Sequence, residues 1–119
     1  MQVLIAGTIE VDPDRRQGLL DAVRPLVERT RKDEPGCLEY AFTADTVEDG
    51  RVVVLERWAD EATLAAHLVH DNMLATRRAL HEHGSGRSTI AKYRVDAVQP
   101  VKDAAGTYRA DFGDHTSSP

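Results

Sequence analysis

Trp58 and His67 stand nine residues apart within VVVLERWADEATLAAHLVHDN, the stretch from Val52 to Asn72. A free imidazole titrates at about pH 6.5, which suits taking or shuttling a phenolic proton. An indole ring can wall an aromatic pocket and aim its N–H at a ligand oxygen. Each residue also has a plainer reading, Trp58 as a core anchor and His67 as a histidine satisfied within the fold. Tyr40, Phe42 and Tyr93 are candidates to line a cavity between sheet and helices, although aromatics on strand faces usually serve the core.

The chain's five histidines also raise the question of a metal. His67 and His70, with Asp71, have a helical spacing that offers two ligands. A site needs three or four, and supporting partners behind them. His81 and His83 point to different sides of a helix, His115 lies in the tail, and no Cys/His pair closes a site. No metal is expected. The Gly84-Ser85-Gly86 run precedes a strand rather than a helix, so it lacks the context of a phosphate cradle.

These residues need elements to hold them. Gln2 to Val11 is rich in β-branched residues and reads as a strand with both faces at least partly buried. Asp12-Pro13 then opens a helix, the aspartate as cap and the proline at the first helical position. Leu19, Leu20, Val23, Leu26, Val27 and Thr30 form its apolar stripe. Pro25 falls inside that stripe without shifting its phase, which predicts one bent helix ending at Pro35-Gly36. Cys37 to Thr46 alternates as a strand, Glu48-Asp49-Gly50 turns the chain, and Arg51 to Trp58 returns with an apolar VVVL core.

Asp60 caps the next helix. Leu64, Leu68, Ala65, Val69 and Ala62 fill an arc of roughly 160°, with His67 about 60° outside it and His70 about 120° outside it. His67 is thus expected at the boundary and His70 toward water. Asp71-Asn72 reads as a break and second cap, followed by a helical face of Met73, Thr76, Ala79 and Leu80. Ser88 to Val98 is the last strand. The segment 101–119 has no sustained period and reads as a tail or dimer-contacting arm with Tyr108 and Phe112 as its large anchors.

The order β-α-β-β-α-β is that of a ferredoxin-like α+β domain over residues 1–100, a four-stranded antiparallel sheet with helices on one face. The strands are apolar on their other face too, and no remaining part of the chain is apolar enough to cover it. A homodimer packed sheet against sheet is the simplest arrangement. Length (119 residues) bounds the chain to one core, and a composition 41% hydrophobic and 29% charged is that of an ordinary globular protein. A net charge of −5 without a basic stripe argues against nucleic acid. No signal-type segment or apolar run of roughly 18 residues appears, and a lone Cys37 fits a reducing compartment. No membrane association and a cytoplasmic location are expected.

Three stretches together resemble the antibiotic biosynthesis monooxygenase family, along about the first hundred residues. They are the opening strand, E-P-G-C-L-x-Y from Glu34 to Tyr40, and E-x-W-x-D-x-x-x-L-x-x-H-L from Glu56 to Leu68. The resemblance implies a dimeric α+β barrel with a pocket between the helices and sheet of each subunit. It also implies oxidation by O₂, without cofactor, of a quinol, a polycyclic phenol or an anthrone-like aromatic. Trp58 and His67 match the family motif and carry over as catalytic residues. Asn72 and Arg77 are candidates to contact substrate oxygens, and Tyr40 and Phe42 to line the cavity. Asn72 stands where quinol-oxidising relatives often have a second histidine, and it cannot serve as a base at neutral pH. The first strand has no asparagine, and Arg77 stands near the position of the axial histidine of haem-degrading relatives, which argues against haem degradation. A non-oxidative binding, isomerase or accessory protein of the same fold is the alternative. A pocket filled by Trp58 and Tyr40 would favour it.

Overall fold

The computed structural model describes residues 1–113, so His115 lies outside the described residues. Its elements run β1 (Gln2–Val11), α1 (Arg16–Asp33), β2 (Cys37–Ala44), β3 (Arg51–Trp58), α2 (Glu61–Leu68), α3 (Asp71–Glu82) and β4 (Ser85–Val95). The strands pair antiparallel in the order β2-β3-β1-β4. This is the ferredoxin-like α+β arrangement, with its second helical layer split into α2 and α3.

Local chemistry accounts for most boundaries. Asp12 Oδ1 accepts from the Asp14 N–H at 3.0 Å, and Pro13 opens a short 3₁₀ turn that runs into α1. Pro25 sits inside α1, which stays a single helix burying Leu19, Val23, Leu26 and Thr30. Asp60 and Thr63 form a reciprocal cap at the start of α2, with Thr63 N donating to Asp60 Oδ1 at 2.8 Å. Gly36 takes φ +82° between α1 and β2, where a Cβ would collide with the Thr63 side chain. Its carbonyl accepts from Ala59 N at 2.8 Å, tying the end of α1 to the end of β3.

Glu48-Asp49-Gly50 turns the chain as expected, Arg51 N donating to the Glu48 carbonyl at 3.2 Å, with neither Asp49 nor Gly50 at positive φ. Asp45 shapes the rest of the connection, its Oδ1 accepting from Val47 N and Glu48 N, while Arg16 donates to the Asp45 and Glu48 carbonyls. Two expected details are corrected. His70, not Asp71-Asn72, caps α3, its Nδ1 accepting from Asn72 N at 3.0 Å. Strand β4 lies nearer the N-terminus than Ser88 to Val98, because its pairing with β1 already begins at Ser85 opposite Val11.

The helix-facing side of the sheet carries two apolar clusters. Ile9, Val11, Val52 and Val54 pack against Leu19 and Val23 of α1. Val3, Tyr40, Trp58 and Leu64 form the other. On the opposite face the register places Leu4, Ala6, Ala41, Val53, Leu55 and Tyr93 together, with Leu55 37% and Tyr93 52% exposed. Beyond β4, Asp103 Oδ1 accepts from Ala105 N and Thr107 N, and Lys102 bridges to Tyr108. Tyr108 and Phe112 stay exposed, so neither anchors the arm to its own domain. No described helix is long and apolar enough to cross a membrane.

Candidate active site

Four elements deliver polar side chains to one buried point. Glu34 ends α1 and precedes Pro35, whose ring keeps the residue before it out of helical conformation. Glu34 accordingly takes φ −102° and ψ 111°, leaving the helix at that point. On β3 the two-residue period puts Glu56 and Trp58 on the helix-facing side. His67 comes from the last turn of α2 and Asn72 from the first turn of α3.

His67 Nδ1 lies 2.7 Å from Glu34 Oε1, a distance at which the ring N–H donates to the carboxylate. Asn72 Nδ2 donates to the other oxygen, Oε2, at 3.1 Å. His70 Nδ1 is 3.8 Å from Oε2, too long for a hydrogen bond, and its lone pair is already used in capping α3. On the far side of the imidazole, Nε2 has no hydrogen-bond partner and points toward Glu56 Oε1 at 4.0 Å. That carboxylate accepts from Trp58 Nε1 at 3.0 Å. The His67 ring stacks on the indole, centroids 4.5 Å apart and planes tilted 30°, while Tyr40 meets it edge-on at 5.3 Å.

Burial sets the charges here. It pushes the Glu56 carboxyl above the ordinary 4.5, with Glu34 adding repulsion and the Trp58 N–H and His67 opposing the rise. Burial also raises the Tyr40 phenol, helped by Glu56 and Glu34, so it stays protonated at neutral pH. The Cys37 thiol is raised for the same reasons, which removes it as a thiolate nucleophile. The arrangement can therefore hold and move a proton between two carboxylates through an imidazole.

The structure brings His67, Trp58, Asn72 and Tyr40 together and leaves two expected residues aside. Arg77 is exposed, one position past the buried Thr76 and so turned about 100° round α3 toward water. Phe42 packs on Tyr40 but faces a hollow of about 530 Å³ between α1 and the edge strand β2, away from His67. His67 is not at a boundary, being 1% exposed. A wheel of apolar residues misses the polar partners waiting inside. Nor does Trp58 wall an open pocket, being fully buried with its indole N–H serving Glu56 rather than a ligand. Tyr40 is buried too and borders a hollow of about 360 Å³ along β2, with Arg31, Cys37 and Glu39.

Open space lies on the other side of α2. A groove of about 320 Å³ runs between α2 and β4, with Val3, Leu64 and Leu68 as its apolar wall and Glu61, Lys92 and Arg94 as its charged residues. A second, of about 270 Å³, shares Leu64, Leu68 and Lys92 and adds Ile5 and Ile90. These volumes suit a small ligand held between an apolar wall and a charged rim. Lys92 and Arg94 have no hydrogen-bond or ion-pair partner among the described residues.

Glu34 and Glu56 are the buried partners of His67 and Trp58 that sequence reasoning missed. Their signals were present, in a glutamate before Pro35-Gly36 and another two positions before the tryptophan. Among the described residues, no three His, Cys, Asp or Glu side chains are grouped to hold a metal ion.

The profile of the antibiotic biosynthesis monooxygenase family matches residues 2–79, more than half of the chain. The chain belongs to the antibiotic biosynthesis monooxygenase family. An uncharacterised Synechocystis protein, sll1783, is 34% identical over 65 residues, which cover 55% of this chain but 44% of that protein. The Bacillus subtilis protein YcnE, provisionally named a monooxygenase, is 31% identical over 65 residues, 55% of this chain and 67% of its own. A solved structure from Caulobacter crescentus, provisionally named as a member of this family, superposes with a TM-score of 0.73. It is 28% identical, and the match covers 82% of this chain and 91% of that one. The family, YcnE and the Caulobacter structure support a general monooxygenase-like role, whereas sll1783, of which the chain spans less than half, names no activity.

Proposed function

We propose that this family member is a cofactor-independent monooxygenase that uses O₂ to oxidise a quinol, a polycyclic phenol or an anthrone-like aromatic. The observation that carries the reading is the apolar α2–β4 groove rimmed by unpaired Lys92 and Arg94, beside a buried proton-handling network. An aromatic held there would lose a proton, and the two cations would stabilise the anion. The electron-rich anion passes one electron to O₂, and the resulting radical recombines with superoxide to form the new C–O bond. Loss of water completes the change, so an anthrone and O₂ yield an anthraquinone and H₂O. No cofactor enters this balance. His67 serves as proton shuttle and Trp58 positions it.

The reading includes a homodimer joined through the apolar outer face of the sheet, since that face exposes Leu55 and Tyr93. Leu55→Lys is expected to shift the mass measured by light scattering from two chains to one. A monomeric wild type would remove the dimer. Lone Cys37 fits the reducing cytoplasm, the proposed location.

One observation favours a second reading. Trp58 and Tyr40 fill the space beside His67, as a non-oxidative isomerase or binding protein of this fold would allow. Oxygen uptake with a panel of hydroquinones and anthrones separates the two. Uptake above autoxidation, reduced in Trp58→Phe, is the expected result. Proton exchange into a bound ligand with no oxygen consumed across the panel would turn the assignment to an isomerase.

A further inference from the structure

The register across the helix-facing side of the sheet sets Tyr40, Glu56, Ile5 and Lys92 in one row over β2, β3, β1 and β4. Directly opposed residues on neighbouring strands lie about 5 Å apart, so Glu56 stands about 5 Å from Ile5 and about 10 Å from Lys92 at the backbone. Ile5 and Lys92 belong to the groove itself. Glu56 is therefore the first carboxylate met inward along that row, behind Ile5, while Glu61 of α2 lines the groove itself and is exposed to water. The Glu56 side chain is 9% exposed, against 1% for His67 and 4% for Glu34 behind it.

The two oxygens of Glu56 differ. Oε1 accepts from the Trp58 N–H and faces His67 Nε2. Oε2 makes no hydrogen bond among the described residues, on a side chain that keeps some solvent access. One oxygen is thus fixed by the network and the other is free to meet a ligand. The remaining titratable neighbours are Glu34, His67, Tyr40 and Cys37, and burial keeps the last two protonated and unable to accept.

We propose that Glu56 is the base that takes the proton from a phenol or anthrone in the α2–β4 groove, and that His67 carries it on to Glu34. The proposal rests on the monooxygenase reading and names the group that performs its first step. The substrate's O–H or C–H bond breaks, its electron pair stays on the substrate, and Glu56 becomes a carboxylic acid. That acid then protonates His67 Nε2 as the Nδ1 proton passes to Glu34, with no change of oxidation state. Closing the 4.0 Å gap between Glu56 and Nε2 to hydrogen-bond length takes a shift of about 1.2 Å. His70, with its side chain 39% exposed and Nδ1 3.8 Å from Glu34 Oε2, marks the way out to solvent.

Anthrone loses its ring-CH₂ proton before any oxidation, so its deuterium exchange in D₂O without oxygen tests the step alone. Wild-type protein is expected to speed that exchange above the buffer rate. Glu56→Gln keeps an amide oxygen for the Trp58 N–H, so it is expected to fold, and the colour change of the dye alizarin on binding checks that its groove is intact. It should nevertheless slow the exchange, and its oxygen uptake with an anthrone, by about 100-fold or more. Glu56→Asp, should the amide prove unstable, retains a base at shorter reach and is expected to keep part of the exchange. Wild-type exchange in a folded, alizarin-binding Glu56→Gln protein, or loss of exchange in Glu61→Gln instead, would overturn Glu56 as the base while leaving the groove and the monooxygenase reading in place. Failure of the wild type to bind alizarin would remove the groove as the aromatic site, and this proposal with it.

Discussion

His67→Gln is expected to lower oxygen uptake on a hydroquinone or anthrone by about 10²- to 10⁴-fold, the range typical of a lost proton-transfer group, while leaving the fold intact. Glutamine keeps an N–H to donate to Glu34, which in the wild type receives His67 Nδ1 at 2.7 Å. It cannot accept and release a proton at the position of Nε2, and that position faces Glu56. His67→Ala removes both functions. It leaves the buried Glu34 carboxylate with only Asn72, so this variant should also unfold at lower urea, by about 3–5 kcal/mol for a broken buried pair. Added imidazole should restore part of the activity of the alanine variant, because the vacated space lies between the same two carboxylates. Oxygen-electrode rates set beside urea denaturation separate the chemical loss from the structural one. A wild-type rate in a folded His67→Gln protein would remove His67 from the proton path.

Trp58→Ala is expected to cost about 3–5 kcal/mol of stability, the range for deleting a large buried aromatic side chain. Trp58 is fully buried against Tyr40 and His67, and its N–H makes the one hydrogen bond to the Glu56 carboxylate among the described residues. Small domains are stable by only about 5–15 kcal/mol, so the variant should melt far below the wild type. Trp58→Phe separates packing from hydrogen bonding. It keeps a ring and loses the N–H that holds the Glu56 carboxyl down, so that carboxyl rises further above its ordinary value. A carboxyl raised by folding contributes stability that is full below about pH 4.5 and is lost as pH rises through its folded value. Trp58→Phe should therefore be nearer to wild-type stability at pH 4 than at pH 7, on the same linkage argument. The acidic limb of its rate profile should move to higher pH. Equal losses at both pH values would show that the indole matters to Glu56 only through packing.

Most of the framework was legible from residues close together in the chain. Asp12-Pro13, the Asp60 cap and the glycine turn after Pro35 mark their boundaries through bonds spanning two or three residues. The VVVL run of β3 and the stripe of α1 announce burial by their periods alone. The apolar outer face also followed from sequence, because every second residue of a strand shares a side.

What depended on the third dimension was the partner of each polar group. Glu34 lies 33 residues from His67 and 38 from Asn72, so neither spacing nor periodicity connects them. A helical wheel placed His67 outside the apolar arc, yet it is buried, because a carboxylate and an indole there can satisfy an imidazole as oil cannot. The same folding spends the Trp58 N–H on Glu56, turns Arg77 to solvent, and opens the groove between α2 and β4 rather than beside the tryptophan. Sequence determined which segments are helix and strand and which faces seek burial, since those follow from local backbone preference and side-chain period. Tertiary structure decided which carboxylate meets which imidazole and where a ligand can enter, since burial changes a polar group's energy only once its distant partner has arrived.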